Sequence, residues 1–315
     1  MGRRSLRCGR RKRSRLRNEF SAMTHRLTQS GGHVAPRPGL DWGRMGGFSL
    51  VEVMIGLTAG LILIAGIGQI YLGSRQTYRL QEGQARLQED GRFVIEFLKK
   101  NIRIAGYRSI PWNTGPVAFP ARATVPSFST GQVITGTADS VSIRLQGAGD
   151  GKGDADDRVA DCLGAALDRC DVAINTFAAD IDDAELECSV IVVTMTQEQN
   201  EATPQLNECS ATAGVTARTI TLKSPQPLVS GFGNLNVLYG LYTGGTLPTI
   251  RYLPAISVPA GSWGNVVSVR IGFELRSEDN LIAAPQTYVF NGVEVTDRRL
   301  RRSFETTIAL RNKLP

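Results

Sequence analysis

A single charged residue lies inside the longest apolar stretch of this 315-residue chain. From Phe48 to Leu72 the sequence contains 25 residues, and Glu52 is the only one that carries a formal charge. As a helix, this stretch would be about 37 Å long, which exceeds the roughly 30 Å hydrocarbon core of a bilayer. A carboxylate at that depth costs up to about 3 kcal/mol unless it is paired. The stretch is therefore predicted to span a membrane, and the charge on Glu52 requires a functional explanation.

The residues around Glu52 supply such an explanation. The string GGFSLVE at residues 46–52, followed by the apolar run, resembles the class III signal of type IV prepilins and pseudopilins. The resemblance implies that a prepilin peptidase cuts between Gly47 and Phe48 and that Phe48 becomes N-methylated. It also implies that Glu52 is neutralised by the α-amine of Phe48 in the next subunit, so that assembly removes a penalty borne by the isolated subunit. An ordinary single-pass anchor is the alternative interpretation.

A second string of residues resembles one particular group within the prepilins and pseudopilins. Residues 74–108, SRQTYRLQEGQARLQEDGRFVIEFLKKNIRIAGYR, are similar to the helix continuation of the PilW group of type IV pilus minor pilins. Three C-terminal segments, Val266–Ser277, Asp297–Phe304 and Leu310–Asn312, look like the ending of the same group. That group often has a cysteine soon after Ala-Gly-Tyr, whereas Arg108-Ser109-Ile110 follows here. The disulfide pattern of the group is therefore not transferred to this chain.

The net charge changes sign at the implied cleavage site. The whole chain has a formal charge of +7, and residues 1–47 hold twelve Lys or Arg and two acids, a net of +10. The rest therefore carries 7 minus 10, a net of −3, which gives nucleic-acid binding little support. The basic residues from Arg3 to Arg17 can be interpreted as a nucleic-acid arm, but a basic segment ahead of a membrane span holds that end in the cytoplasm. Met23 is an alternative start and would give a 25-residue leader.

Both histidines, His25 and His33, precede Gly47. The exported chain would then lack histidine, which excludes His-based catalytic triads, His-ligated zinc and imidazole general bases from it. No G-x-S-x-G motif, and no S-x-x-K motif with supporting context, is present. We expect no enzymatic activity and no cofactor.

The sequence after the span keeps a helical period. Apolar residues recur at intervals of seven, seven, four and seven at Leu80, Leu87, Val94, Leu98 and Ala105. This spacing predicts an amphipathic helix that continues the span, with Gly106 and Pro111 as its stop signals. The predicted organisation is a cleaved leader at 1–47, a transmembrane helix at 48–72, its amphipathic continuation at 73–110 and a β-rich domain at 111–315.

The domain beyond Pro111 is rich in Gly, Pro, Thr, Ser and short β-branched runs. Eight runs are predicted strands: 140–146, 189–195, 219–223, 236–242, 249–253, 266–275, 287–290 and 306–310. Val267, Val269, Ile271 and Phe273 alternate with polar residues, as expected for a sheet covered on one side by the amphipathic helix. Pro225 and Pro227 predict a joint between two halves of the domain. The predicted fold class is α+β, and the resemblance implies a pilin-like arrangement.

Four cysteines follow the implied cleavage site, since Cys8 lies in the leader: Cys162, Cys170, Cys188 and Cys209. An even number on the oxidising side of the membrane predicts two disulfides. Of three possible connectivities, we predict the local one, in which Cys162 pairs with Cys170 and Cys188 with Cys209. A four-cysteine metal site is disfavoured because spacings of eight, eighteen and 21 residues contain no short C-x-x-C type pair.

A glycine- and aspartate-rich loop occupies residues 147–157. Its oxygen ligands suit calcium, but Lys152 stands where the calcium-loop pattern has an acid, and no glutamate closes the loop. We interpret the segment from Asp150 to Asp157 as a solvated loop.

The resemblance implies a minor pilin that primes type IV pilus assembly near the tip, with motility and attachment as downstream effects. Its implied partners are the prepilin peptidase, other minor pilins, the major pilin and a tip adhesin. The implied location is the inner membrane, with the N-terminus in the cytoplasm before cleavage and the β-rich domain in the periplasm and then in the pilus. A minor pseudopilin of a type II secretion system is the alternative, and a plain membrane-anchored binding domain is a more distant one.

Overall fold

The computed structural model describes residues 47–109, 118–149, 155–180, 182–195, 218–244, 249–290 and 292–313. Residues 1–46, which belong to the predicted leader, lie outside the described residues, as do Pro111, Cys209 and residues 150–154 of the glycine- and aspartate-rich loop. The chain divides into two compact units, Met1–Leu63 and Ile64–Pro315. All strands among the described residues belong to the second unit.

A single α-helix, α1, extends from Leu50 to Arg103 and contains 54 residues. The prediction of one long N-terminal helix is therefore confirmed. After the helix, Gly106 adopts a φ of 75°, a left-handed conformation that favours glycine and stops the helix. The side-chain amide of Asn312 donates to the carbonyl oxygens of Ile104 and Ala105 at 3.3 and 3.2 Å. The C-terminal segment thus adds hydrogen bonds to carbonyl groups of the turn that follows the helix.

The first sheet has five antiparallel strands in the order β1-β2-β5-β6-β7. Their bounds are Ile134–Gly136 for β1, Ser140–Gln146 for β2, Asp171–Asp180 for β5, Glu185–Met195 for β6 and Arg218–Ser230 for β7. Strands β3 (Asp156–Ala160) and β4 (Ala166–Leu167) form a separate small ladder.

The second sheet has four antiparallel strands in the order β13-β10-β8-β9. Their bounds are Phe232–Thr243 for β8, Thr249–Pro254 for β9, Val266–Asn280 for β10 and Arg299–Ala309 for β13. Strands β11 (Gln286–Phe290) and β12 (Val293–Asp297) form a hairpin. Short 3-10 helices occupy Ala255–Ser257, Ala260–Asn265 and Arg311–Lys313. The α+β fold class is confirmed.

One apolar core joins the two sheets and the second-unit part of α1. Phe97 of α1 meets Phe177 of β5 edge to face, with ring centroids 6.0 Å apart. The buried phenol of Tyr239 on β8 donates to the carbonyl oxygen of Ser140 on β2 at 2.9 Å and so links the sheets. On β10, Val269, Ile271 and Phe273 are all buried, as their alternation predicts. The helix positions buried within the second unit are Gly83, Leu87, Gly91, Val94, Leu98, Asn101 and Ile102.

A buried arginine holds the segment before β1 against the first sheet. Arg144 of β2 donates to the carbonyl oxygens of Gln132, Pro120 and Ser129 at 2.8, 2.6 and 3.0 Å. Its guanidinium carbon lies 4.4 Å from the centroid of the Phe128 ring. Burial, with a smaller contribution from the charge of Arg122, lowers the pKa of Arg144 to about 9, so this side chain is still charged at neutral pH.

Each of the eight predicted strands has a counterpart, but the predicted joint at Pro225 and Pro227 is wrong. Strand β7 continues through both prolines. The prolines are tolerated because β7 is an edge strand whose register with β6 shifts beside Cys188. The chain passes from the first sheet to the second at Gly231, which has a φ of 70°. A side chain there would overlap the carbonyl oxygen of Arg276, so both the conformation and the space require glycine.

Candidate functional site

The implied cleavage junction lies immediately ahead of α1. Residues Gly47, Phe48 and Ser49 are exposed and precede the helix, and the first helical hydrogen bond joins the amide of Val53 to the carbonyl oxygen of Ser49 at 3.2 Å. A Cβ placed on Gly47 would meet nothing within 4 Å. The Gly47–Phe48 peptide bond therefore lies outside the helical hydrogen-bond ladder, and its backbone is accessible to another molecule.

Glu52 lies in the first turn of α1. A carboxylate at this position interacts favourably with the positive end of the helix dipole. Glu52 is exposed, and within the part of the chain that the structure describes no cation forms an ion pair with it. In a lipid environment the single chain would thus carry an acid without a compensating charge.

Within the described part of the chain, the apolar part of α1 is left exposed. Among the described residues, α1 is the one helix long and apolar enough to cross a membrane, and no residue of its most apolar 18-residue stretch is buried. From Phe48 to Leu72 every residue is exposed except half-buried Gly68. Gly56, Gly60 and Gly66 have open space where a side chain would stand. Such small residues allow neighbouring membrane helices to approach closely.

The cysteines are connected differently from the prediction. Cys162 forms a disulfide with Cys188, which lies 26 positions further along the chain, and their Cα atoms are 6.4 Å apart. The predicted pairs Cys162–Cys170 and Cys188–Cys209 are therefore wrong, whereas the presence of a disulfide is confirmed. Cys170 is also disulfide-bonded, and Cys209 lies outside the described residues.

An ion pair with one buried partner holds the turn that carries Cys162 against the edge of the first sheet. The carboxylate of Asp161, whose side chain is fully buried, pairs with the ammonium of Lys223 on β7. The other oxygen of Asp161 accepts hydrogen bonds from the amides of Leu163 and Ala165 at 2.9 and 3.0 Å. The turn between β3 and β4 is thereby fixed over the β6–β7 edge. Because the paired residues are 62 positions apart in the sequence, no local sequence signal indicates this contact.

The structure adds little about the glycine- and aspartate-rich loop. At its start, the amides of Gly147 and Ala148 donate to the carbonyl oxygens of Asp171 and Leu167 at 2.9 and 3.1 Å. Within the described part of the chain, no group of three or more His, Cys, Asp or Glu side chains is arranged to hold a metal ion.

Comparison with known proteins points to the pilus. Residues 194–312 match the family model described as Type IV Pilus-assembly protein W, PilW. The match covers 119 of 315 residues. It includes β7 to β13 but leaves out α1, whose sequence carries most of the resemblance noted above. No curated protein and no solved structure gives a match. The PilW match, together with a helix able to anchor in a membrane, supports a role for this chain in type IV pilus assembly.

Proposed function

We propose that this chain is a minor pilin that takes part in priming type IV pilus assembly and lies near the pilus tip. A prepilin peptidase removes the leader between Gly47 and Phe48, and Phe48 is then N-methylated. The observation that carries the proposal is an accessible Gly47–Phe48 bond directly ahead of a continuous helix whose apolar part is uncovered. The PilW match over β7 to β13 supports the pilus rather than a secretion system as its destination.

Cleavage would create the group that Glu52 needs. Before the cut, the nitrogen of Phe48 is a neutral peptide amide, and after it, the nitrogen is a cationic α-amine. In a filament, the amine of one subunit can approach Glu52 of its neighbour, so two charges that are unfavourable in lipid neutralise each other. Processing and assembly are coupled by this charge pair, because an unprocessed chain has no amine to offer.

We propose that the subunit is first inserted in the membrane and then assembled into a pilus. In the first stage, α1 anchors the subunit in the inner membrane, and the basic leader holds its N-terminus in the cytoplasm. In the second stage, the helices of other minor pilins and the major pilin replace lipid around α1, with the open positions at Gly56, Gly60 and Gly66 allowing close approach. The β-rich domain would be exposed on the assembled pilus and available to a tip adhesin. The protein contributes assembly contacts rather than a reaction.

The test combines processing with incorporation into pili. The chain is expressed with a prepilin peptidase, and mass spectrometry should find N-methylated Phe48 as the first residue. Gly47→Val should block the cut because a branched side chain crowds the backbone in the peptidase cleft. Open space around Gly47 means that the substitution disturbs no described contact within the chain.

Gly60→Val is the matched control, because that glycine is also exposed on α1 but lies 13 residues beyond the junction. It should be cut at the wild-type rate. Sheared pili should contain wild-type protein and no Gly47→Val protein. Efficient cleavage of Gly47→Val, or its normal recovery in pili, would disprove the proposed processing site.

A further inference from the structure

A short stretch of α1 is not covered by the β-rich domain. Its composition is also too polar for the centre of a bilayer. Every residue from Tyr71 to Arg79 is exposed, Leu80 is the next residue with partial cover and Gly83 is the first buried one. Tyr71 and Tyr78 expose 55% and 68% of their surfaces. Its first two residues, Tyr71 and Leu72, are also the last two of the apolar run that begins at Phe48. We call Tyr71–Arg79 the collar.

The collar carries two cations and two phenols on adjoining parts of the helix surface. Tyr71, Arg75 and Tyr78 follow the i, i+4, i+7 spacing of one helix face, and Arg79 lies one turn beyond Arg75. The guanidinium carbon of Arg75 lies 5.0 Å from the centroid of the Tyr71 ring, a distance at which a cation and an aromatic ring attract each other.

No acid on the helix neutralises this charge. The sequence has no Asp or Glu between Glu52 and Glu82. The carboxylate of Glu82 is paired with Arg86 at 2.8 Å. The collar therefore has an excess of positive charge at the end of a membrane span. A partner with complementary charge would be an anionic surface.

We propose that the collar binds the phosphate groups of anionic phospholipids in the periplasmic leaflet. The eight helical steps from Tyr71 to Arg79 cover about 12 Å, enough to cross a headgroup layer of roughly 5–8 Å. Tyrosine rings favour the boundary between hydrocarbon and headgroups, and guanidinium groups bind phosphate in a bidentate manner. The inference rests on the proposed membrane anchoring of α1 but not on its assembly into a pilus.

Binding of lipid headgroups to the collar would fix the position of the subunit in the membrane before assembly. Headgroups bound to Arg75 and Arg79 hold the end of the span at the membrane surface, so that the buried helix positions from Gly83 onward stay clear of lipid. Entry into a filament then requires that these headgroups be released. The interaction is electrostatic and should weaken as ionic strength rises.

The test measures lipid selectivity with the full-length protein. The protein is purified in a neutral detergent and titrated by thermophoresis with dihexanoyl phosphatidylglycerol, which is anionic, and dihexanoyl phosphatidylcholine, which has no net charge. A basic residue near an anionic lipid surface contributes about 1 kcal/mol, or roughly fivefold in affinity. Wild type should therefore bind the anionic lipid roughly 10- to 25-fold more tightly than the neutral lipid.

Two double variants test whether lipid selectivity depends on the collar arginines or only on the total positive charge of the helix. Arg75→Gln with Arg79→Gln should abolish the preference for phosphatidylglycerol. Arg92→Gln with Arg103→Gln removes the same charge from exposed positions of the same helix outside the collar and should keep the preference. All four arginines are exposed, so folding should be unaffected, which circular dichroism can verify.

Three outcomes would overturn the proposal. One is equal affinity of wild type for the two lipids, and another is an equal loss in both double variants. The third is unchanged lipid selectivity combined with loss of co-purifying pilus subunits from the Arg75→Gln, Arg79→Gln protein, which would assign the collar to a protein contact. The lipid measurements need neither cleavage nor a pilus, so their result is independent of the test of the proposed function.

Discussion

Gly91 of α1 lies directly against the ring of Phe304 on β13, so closely that a Cβ on Gly91 would overlap three atoms of the ring. Phe304 stacks on Phe273 of β10, with ring centroids 5.3 Å apart, and Phe273 stacks on Phe232 of β8 at 5.2 Å. The helix thus rests at Gly91 on an aromatic row that crosses three strands of the second sheet. The glycine is required by close approach and not by backbone conformation.

Gly91→Ala should therefore destabilise the second unit, although alanine favours a helix by about 1 kcal/mol over glycine. Overpacking at a closed contact typically costs about 1–3 kcal/mol. Gly73→Ala is the matched control, since Gly73 is in the same helix with nothing within 4 Å of its missing side chain. Thermal unfolding of the full-length protein in detergent should show a lower Tm for Gly91→Ala and an unchanged or higher Tm for Gly73→Ala.

A second substitution tests whether the loss comes from the ring. Phe304→Leu alone should be destabilising, since it removes a partly buried aromatic ring, but in combination with Gly91→Ala the two losses should be less than additive. Strict additivity, or a higher Tm for Gly91→Ala alone, would show that the helix does not pack on Phe304 in solution.

The fold was predictable where apolar alternation and helical spacing are strong. The ends of β2 at Ser140 and Gln146 are the predicted ones, because β-branched residues alternate there with polar ones. Strand β5 at Asp171–Asp180 escaped prediction although it lies at the centre of its sheet. Its sequence, DVAINTFAAD, mixes alanine, asparagine and aspartate, which disfavour strands, and only burial between β2 and β6 selects the extended conformation.

Contacts between distant parts of the chain could not be predicted in the same way. The string around Glu52 is contiguous, so its features can be read directly from the sequence. By contrast, the ion pair of Asp161 with Lys223 and the disulfide of Cys162 with Cys188 depend on how β3 and β4 fold over the sheet edge. Sequence spacing favoured the shorter loop between Cys162 and Cys170, and tertiary packing selected the longer one.

Asn175 of β5 provides a prediction about stability. It is fully buried between its strand neighbours Ile143 and Val190, and neither its amide nitrogen nor its amide oxygen has a hydrogen-bond partner among the described residues. A buried polar group without partners costs about 1–3 kcal/mol. Asn175→Val should therefore raise the free energy of unfolding by about 1–2 kcal/mol, since valine removes the unpaired groups and favours a strand.

Denaturant unfolding gives the measurement, as a higher midpoint with an unchanged m-value. Thr176→Val is the control, because the hydroxyl of Thr176 is satisfied by the hydroxyl of Ser142 at 2.8 Å. That substitution should be slightly destabilising. Loss of stability in Asn175→Val would mean that the amide has a partner in solution, such as a buried water molecule.

The disulfides give a third prediction. Peptide mapping of the purified protein under non-reducing conditions should recover Cys162 linked to Cys188. Since Cys209 is the fourth cysteine after Gly47, we expect the second linked pair to be Cys170 with Cys209. In the chain-entropy treatment, the loop closed by Cys162 and Cys188 stabilises the protein by about 3.5 kcal/mol. Cys162→Ala with Cys188→Ala should therefore lower the free energy of unfolding by about that amount. Recovery of Cys162 linked to Cys170 would contradict the prediction.

The last prediction separates insertion of the subunit from its assembly. Glu52→Leu removes a charge whose burial in lipid is unfavourable, so the variant should be cut and should remain in the membrane at least as well as wild type. Glu89→Leu is the matched control, because Glu89 is an exposed carboxylate of the same helix outside the apolar span. Membrane fractions and the mass of the N-terminal peptide establish both points before pili are examined.

Incorporation into pili should then fall for Glu52→Leu and not for Glu89→Leu. Without the carboxylate, the amine of a neighbouring Phe48 remains charged in an apolar environment with no partner, which costs several kcal/mol. The measurement is the amount of this protein in sheared pili relative to membranes. A subunit at the proposed tip has no neighbour beyond it and needs only one of two such contacts, so we expect a several-fold reduction rather than complete loss. Equal ratios for wild type and Glu52→Leu would show that Glu52 does not act in assembly, and that the subunit enters the filament through its β-rich domain alone.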